Sequence, residues 1–288
     1  MKEKEKEDNR AIMKNNIENM VNEFKRKDCR DLMVFSIDKE VNKIKDDAIS
    51  FRKISPEVYE LGLHCADIIS ELDSDSEEYK EYLSVDEILQ EKKIKNHLGF
   101  NDCKAFSVFV HLNIKQREIV KVEVGRTLIQ LKATFTFETF TELIENKKFP
   151  DGNKWINNRV NVDKTQLYNM CKTFVILITK MKIIVSYEEQ INQCIGSVIL
   201  AQYGNYFNRI VGKKLKDEYN ELALVKLDDK ERFTAKFRSP LRSKYDRCVI
   251  RQIMAHAVHM SNKEMMYFVN GSDDVNKFKE LQQKITQE

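Results

Sequence analysis

Apolar residues recur at helical spacing over much of the chain, and this pattern predicts most of its elements. Residues 9–27 carry one apolar stripe, which is typical of an amphipathic helix. Ser55-Pro56 predicts another helix start, because serine caps helices and proline fits their first position. Asp163 likewise predicts a capped helix over residues 164–182. Further helices are predicted to begin near residues 84, 139, 186, 239 and 272.

The hydrophobic period changes to two between residues 105 and 137. Val108, Val110 and Leu112 alternate with other residues there, and two similar runs follow over 120–124 and 129–137. These runs predict a small antiparallel β meander between two helical regions. The expected fold class is therefore mainly α with a small antiparallel β meander. The predicted parts are an N-terminal arm 1–27, an N-terminal lobe 28–138 that includes the meander 105–137, a C-terminal helical lobe 139–270 and a C-terminal arm 271–288.

Length and composition limit the class of protein. A chain of 288 residues can form one large domain or two lobes. It contains no apolar run of transmembrane length, and no apolar segment follows the charged N-terminus, so neither a membrane partner nor a secretory signal is expected. Six cysteines without a CxxC pair favour a reduced, cytosolic setting.

Charge is distributed unevenly along a chain whose formal net charge is only +3. Residues 1–100 hold 18 Lys and Arg against 24 Asp and Glu, whereas residues 201–251 hold 13 against 7. The basic segment also contains aromatic residues, among them Tyr206 and Phe207. Cations bind phosphates and aromatic faces stack on unpaired bases, so this segment predicts binding to single-stranded nucleic acid. Lysines on solvated helix faces and aromatic residues in the core are the ordinary alternative.

The sequence shows no catalytic constellation. Residues 204–214 lack the spacing of a phosphate-binding P-loop. His256 and His259 stand three apart on a predicted helix without a third ligand nearby, so no metal site is expected. Glu123 and Asp151 do not have the order or spacing of a metal-dependent nuclease. The sequence therefore predicts no enzyme, no catalytic residue and no cofactor.

Three short blocks within residues 161–233 resemble the nucleocapsid proteins of segmented negative-strand RNA viruses, those of the emaraviruses in particular. In the first block Asn161-Val162 precedes the tetrapeptide at 168–171. The second block is the tetrapeptide at 208–211, which begins Asn208-Arg209. The third, at 230–233, keeps the final phenylalanine of that family's motif at Phe233.

This resemblance implies a viral nucleoprotein with a two-lobed helical fold and terminal arms, located in the virion and the host cytoplasm. Such a protein encapsidates single-stranded genomic RNA without sequence specificity in a basic, aromatic-containing groove. It assembles with itself and with a viral RNA polymerase. The residues expected to bind RNA are Arg126, Arg159, Lys172, Lys180, Lys182, Tyr206, Phe207, Asn208, Arg209, Lys213, Lys214, Arg238, Arg242, Lys244 and Arg247.

The two terminal segments are the candidates for self-association. Their apolar residues must be buried, either against the chain's own lobe or in a groove of a neighbouring subunit. The residues expected to contribute to oligomerisation are Ile17, Met20, Val21, Phe24, Phe278 and Leu281.

Two other classes of function remain open on the residues alone. One is a helical adaptor that binds protein partners and no nucleic acid, and the other is a nuclease without a readable motif. Salt-dependent binding of an RNA homopolymer separates the nucleoprotein from the adaptor. A cleavage assay with divalent cations separates it from the nuclease.

Overall fold

The computed structural model describes residues 2–40, 45–67, 97–183 and 194–287. Its strands are β1 (Lys27–Asp28), β2 (Val34–Asp38), β3 (Asp47–Lys53), β4 (Val58–Ala66), β5 (Cys103–Asn113), β6 (Glu118–Ile129), β7 (Leu131–Thr136), β8 (Lys226–Leu227) and β9 (Phe233–Thr234). Its helices are α1 (Lys2–Glu23), α2 (Phe137–Asn146), α3 (Lys164–Lys180), α4 (Ile195–Tyr219), α5 (Lys244–Ala257), α6 (Asn262–Asn270) and α7 (Val275–Gln287). None of the helices within these ranges has the length and hydropathy that a membrane span requires.

The first seven strands form one sheet in the order β1-β6-β5-β4-β3-β2-β7. The strands from β2 to β6 pair antiparallel, whereas β1 pairs parallel with β6 and β7 pairs parallel with β2. Only Gln130 separates the end of β6 from the start of β7, although these strands hold the second and the last place in the sheet. The sheet therefore curls back on itself into a half-barrel.

Aromatic residues pack the helices against the sheet. Phe35 of β2 contacts Phe135, Phe140 and Phe174, with ring centroids 5.8 to 6.2 Å apart. Tyr203 of α4 extends the same cluster, 5.3 Å from Phe174. All five side chains are buried. Burial of a ring of this size contributes about 1.5–3 kcal/mol, so the cluster is a principal source of stability on this face of the sheet.

Contacts divide the described residues into two compact units. The sheet unit comprises the described residues between Lys27 and Asn208, with strands β1–β7, helices α2 and α3, and the first part of α4. The helical unit joins residues 2–26 to residues 209–287 and contains the hairpin β8–β9. The domain boundaries expected from the sequence stay a prediction.

The expected mainly helical fold class is wrong, because a seven-stranded sheet forms the centre of the sheet unit. The helix predicted after Ser55-Pro56 is the strand β4, and Ser55 lies in the tight turn between β3 and β4. Leu61, Leu63 and Cys65 do alternate as strand residues should. Val58, Leu61 and Cys65 also fit a helical spacing, however, and with the Ser55-Pro56 pair they make the segment resemble a helix.

The predicted meander is confirmed for β5 and β6, which pair antiparallel. Its third strand, β7, is wrong in its pairing, because it lies beside β2 at the far edge of the sheet. Asp163 caps α3 as predicted, since its carboxylate accepts from the backbone N–H groups of Thr165 and Gln166. The helix predicted from Ser239 begins at Lys244 instead. The helix starts predicted near residues 84 and 186 lie outside the described residues.

Candidate active site

A chain of polar side chains crosses four strands on one face of the sheet. His64 Nδ1 lies 2.7 Å from Ser107 Oγ, and His64 Nε2 lies 2.9 Å from Ser50 Oγ. Ser107 Oγ in turn lies 2.6 Å from Thr127 Oγ1. All four residues are buried, and burial lowers the pKa of His64 from 6.5 to about 3. The imidazole is therefore neutral at physiological pH. Its hydrogen bonds join β4 to β3 and β5, and the bond between Ser107 and Thr127 extends the chain to β6.

Acidic residues stand in the chain where the end of β2 and the start of β3 lie side by side. Asp38 ends β2, Asp47 begins β3, and antiparallel pairing of the strands places these two ends side by side. Lys45 Nζ lies 2.8 Å from Asp38 Oδ2 in an ion pair that is largely buried. The carbonyl of Asp46 accepts from the backbone N–H of Ala66, which fixes Asp46 against the end of β4. Asp38, Lys45, Asp46 and Asp47 are called the carboxylate end below.

A second ion pair lies at the same end of the neighbouring strands. Asp67 directly follows β4 and is 1% exposed, and its backbone N–H donates to the carbonyl of Lys104. Arg126 of β6 brings its Nε to 3.6 Å from Asp67 Oδ2. The pairing of Asp47 with Cys65 shows that Asp67 belongs to this end of the sheet. Acidic and basic groups therefore lie close together along one end of β2 to β6.

This arrangement suits the hydrolysis of a phosphodiester. Carboxylates orient a water molecule and accept its proton, and an ammonium or guanidinium group stabilises charge on phosphate oxygens. The described residues do not supply a set of three ligands for a metal ion here. Lys45 already neutralises Asp38, and within the described ranges no three His, Cys, Asp or Glu side chains converge. The sequence of the joining segment 39–45 contains three lysines and only one acid.

The residues predicted to bind RNA are divided between the two units. The exposed ones in the sheet unit are Arg159, Lys172, Lys180 and Lys182. Tyr206 is half-buried there, and those largely or fully buried are Arg126, Phe207 and Asn208. In the helical unit, Lys213 and Arg242 are exposed, and Arg209, Lys214, Arg238 and Lys244 are half-buried. Arg247 is fully buried and donates to the carbonyl of Pro240 over 2.8 Å. The part of the exposed residues in RNA binding stays a prediction.

The residues predicted for oligomerisation are partly covered by their own chain. Ile17, Val21 and Phe278 are buried, and Met20, Phe24 and Leu281 are half-buried. Their part in self-association stays a prediction.

The sequence did not predict the carboxylate end. The acidic residues considered for a nuclease site were Glu123 and Asp151, and both were rejected. Glu123 lies in β6 and pairs with Lys121, while Asp151 is exposed in the loop after α2. The overlooked signal is the stretch 34–50, in which an aspartate ends one apolar run and two adjacent aspartates begin the next. Only the pairing of β2 with β3 makes these three residues neighbours.

Comparison with known families gives a match to the RNB domain over residues 26–287. The chain belongs to the RNB family. Among curated proteins, the DIS3-like exonuclease 2 of Schizosaccharomyces pombe is 31% identical over 140 residues, which is 44% of this chain and 15% of that protein.

Solved structures share the fold. Yeast Ssd1, a pseudonuclease, matches with a TM-score of 0.61 and 14% identity, over 91% of this chain and 44% of that one. Mycoplasma genitalium RNase R in complex with ribose methylated single-stranded RNA matches with a TM-score of 0.58 and 14% identity, over 95% and 57%. The exoribonuclease Dss1 of Candida glabrata matches with a TM-score of 0.63 and 11% identity, over 91% and 45%. The chain thus spans about half the length of each matched structure.

Membership of the RNB family overturns the resemblance to viral nucleocapsid proteins. The expectations of a nucleoprotein function and of no enzyme are both wrong, because the family and its relatives point to ribonucleases and pseudonucleases. The resemblance depended on blocks of two to four residues within 161–233, whereas the RNB match extends over almost the whole chain. The viral polymerase partner and the virion location were implications of that resemblance alone and lose their support.

Proposed function

We propose that this RNB-family protein is a ribonuclease that acts on single-stranded RNA, with the carboxylate end as its reaction site. The observation that carries the proposal is the position of Asp38, Asp46 and Asp47 beside Lys45 at the end of paired strands, within the span that matches the RNB domain. A relative named as an exonuclease and an RNase R structure that holds single-stranded RNA support the choice of reaction and substrate.

The reaction would use the charges at this end of the sheet. A water oxygen bonds to phosphorus while the bond from phosphorus to the departing nucleoside oxygen breaks. Asp46 or Asp47 accepts the proton of the water, and the departing oxygen takes a proton from solvent. Lys45 and Arg126 stabilise the negative charge on the phosphate oxygens. Asp67, 3.6 Å from Arg126, holds that guanidinium in place.

The exposed cations of both units remain the proposed contacts to the RNA backbone. They include Lys172, Lys180 and Lys182 in the sheet unit, and Lys213 and Arg242 in the helical unit. Because phosphate contacts release counterions, RNA affinity should fall steeply as the salt concentration rises.

A second candidate is RNA binding without cleavage. The observation that favours it is the Lys45–Asp38 ion pair, which removes one carboxylate from any role as base or ligand while the pair is closed. The fold similarity to Ssd1, a pseudonuclease, is compatible with this reading.

The test is the degradation of end-labelled single-stranded RNA, with and without added magnesium ion, followed on denaturing gels. Asp46→Asn or Asp47→Asn should abolish cleavage, whichever carboxylate is the base, and both variants should still bind RNA. Asp151→Asn is the matched control, since this exposed carboxylate lies in the same unit, in the loop after α2.

Cleavage that persists in both Asn variants would refute the carboxylate end as the reaction site. RNA binding by wild-type protein with no cleavage in any condition would instead favour the second candidate. A protein that neither binds nor cleaves RNA would refute both.

A further inference from the structure

The loop between α2 and α3 is fixed to the edge of the sheet. Thr134 of β7 donates its backbone N–H to the carbonyl of Trp155 over 2.7 Å, and the Asn157 N–H donates to the carbonyl of Lys132 over 2.9 Å. The Asn157 side chain is 1% exposed, and its Nδ2 donates to the carbonyls of Phe100 and Leu131, each over 2.9 Å. The loop is therefore a rigid continuation of the sheet.

A cavity of about 440 Å³ lies in this loop and the start of α3. Its volume falls within the range of about 300–1,000 Å³ that is typical of small-molecule sites. Exposed polar side chains form much of its lining, and they are Asn153, Asn158, Arg159, Asn161 and Lys164. No carboxylate belongs to the lining. Asp163, between two lining residues, turns its carboxylate to the backbone N–H groups at the start of α3.

We propose that this cavity binds one nucleotide of a single-stranded RNA. The inference rests on the proposed function in taking RNA as the ligand, and it adds a second contact site. Arg159 and Lys164 would bind the phosphate, and the asparagine amides would contact the edge of the base.

The chemistry of the lining suits a nucleotide. A guanidinium offers five N–H donors in a planar fork that matches phosphate oxygens, and one of them binds the Asn101 side chain. An asparagine amide presents a donor and an acceptor together, as the edge of an unpaired base does. An acidic peptide also offers backbone donors and acceptors to the amides, so the choice of RNA follows from the proposed function and is tested against polyglutamate.

Trp155 provides a local signal for occupancy of the cavity. It is the only tryptophan of the chain, and Lys164 Nζ lies 5.3 Å from the centre of its ring. The ring stacks on Phe149 and its Nε1 donates to the carbonyl of Gly152. A phosphate that draws Lys164 away from the indole removes a positive charge from its face, so the emission of Trp155 should change when the cavity fills.

The experiment is a titration of the full chain with a short oligouridylate that carries a terminal fluorophore. Anisotropy of the fluorophore reports all RNA binding, and Trp155 emission, in a parallel titration with unlabelled RNA, reports the cavity. Arg159→Ala should weaken the binding seen by Trp155 about tenfold, the loss expected for a hydrogen bond to a charged group, and Asn161→Ala should weaken it by a smaller factor, because its partner is the neutral base. Lys154→Ala removes the same charge from the same loop without touching the cavity lining, and it should leave the binding unchanged.

Each outcome decides the inference. Binding by anisotropy without any change in Trp155 emission, and with wild-type affinity in Arg159→Ala, would overturn the cavity site and leave the proposed function standing. An equal loss in Lys154→Ala would also overturn it, because a general basic field would then explain the effect. Tighter binding of polyglutamate than of RNA, seen by Trp155, would reassign the cavity to an acidic peptide. Absence of RNA binding by both signals would overturn the inference and the proposed function together.

Discussion

His64 offers a sharp test of what holds the sheet together, because its pKa differs between the folded and the unfolded chain. Burial lowers the pKa from 6.5 to about 3 in the folded protein, so the unfolded chain takes up a proton first as the pH falls. Stability from this group is therefore complete above about pH 6.5 and is lost as the pH falls towards 3. Each pH unit below the unfolded pKa costs about 1.4 kcal/mol, which amounts to about 2 kcal/mol between pH 7 and pH 5.

The assay is urea unfolding at pH 7 and at pH 5, followed by the fluorescence of Trp155. His64→Gln keeps a donor and an acceptor but does not gain a proton in this range, so it should lose about 2 kcal/mol less than wild type on acidification. Hydrogen bonds to arginine lower the pKa of Asp28 and Asp228 to about 2. The stability that these carboxylates contribute is therefore lost only below the range of pH 5 to 7 in this assay. His256→Gln is the comparison in the helical unit, where burial also lowers the pKa of the imidazole, so its dependence on pH should change in the same direction.

The same dependence on pH in wild type and His64→Gln would refute the reasoning. If the glutamine variant does not fold, His64→Asn provides the same comparison with a smaller amide. A wild-type stability that does not change between pH 7 and pH 5 would show that the buried imidazole is protonated or that the chain opens locally around it.

Three further predictions concern stability. Phe207→Ala should destabilise the fold by about 3–5 kcal/mol, measured by urea unfolding, because the ring is fully buried 4.8 Å from Tyr203; a variant that is stable but binds RNA poorly would restore the stacking role predicted from the sequence. Gly62→Ala should cost about 1–3 kcal/mol, seen as a lower melting temperature, because the new Cβ would clash with Ser50 Oγ and approach His64 Nε2 to 3.0 Å; an unchanged melting temperature would contradict this packing. Asp163→Ala should cost about 1 kcal/mol through the lost cap of α3, and a gain in stability would show that the cap is unimportant.

Local signals predicted some elements well and others badly. Asp163 caps α3 through backbone groups two and three residues ahead, so its role is readable from a short stretch of sequence. The alternation in β5 and β6 is likewise a local pattern. The strand β4 misled the prediction because Val58, Leu61 and Cys65 also fit a helical spacing, and a Ser-Pro pair that resembles a helix start forms the turn before it.

The carboxylate end was out of reach of the same reasoning for a physical reason. Asp38 and Asp47 are separated by a lysine-rich segment, and they become neighbours only because β2 pairs with β3. The place of β2 in the sheet depends in turn on parallel pairing with β7, which is distant in sequence. A single amino-acid sequence has no local pattern that indicates which distant strands will pair. The basic residues that suggested RNA binding, in contrast, can be counted directly in the sequence.

Lys45 connects the two candidate functions, because its ammonium group cannot pair with Asp38 and with an RNA phosphate at the same time. In the structure it is bound to Asp38 in a largely buried ion pair. If Lys45 moves to a phosphate, the ammonium stays paired and Asp38 becomes available as an acceptor. Under the proposed function, an exchange of partners by Lys45 would therefore couple RNA binding to the release of a base. RNA binding without cleavage would have to depend on other surfaces, among which the cavity beside Trp155 and the exposed lysines of α3 have the required charge.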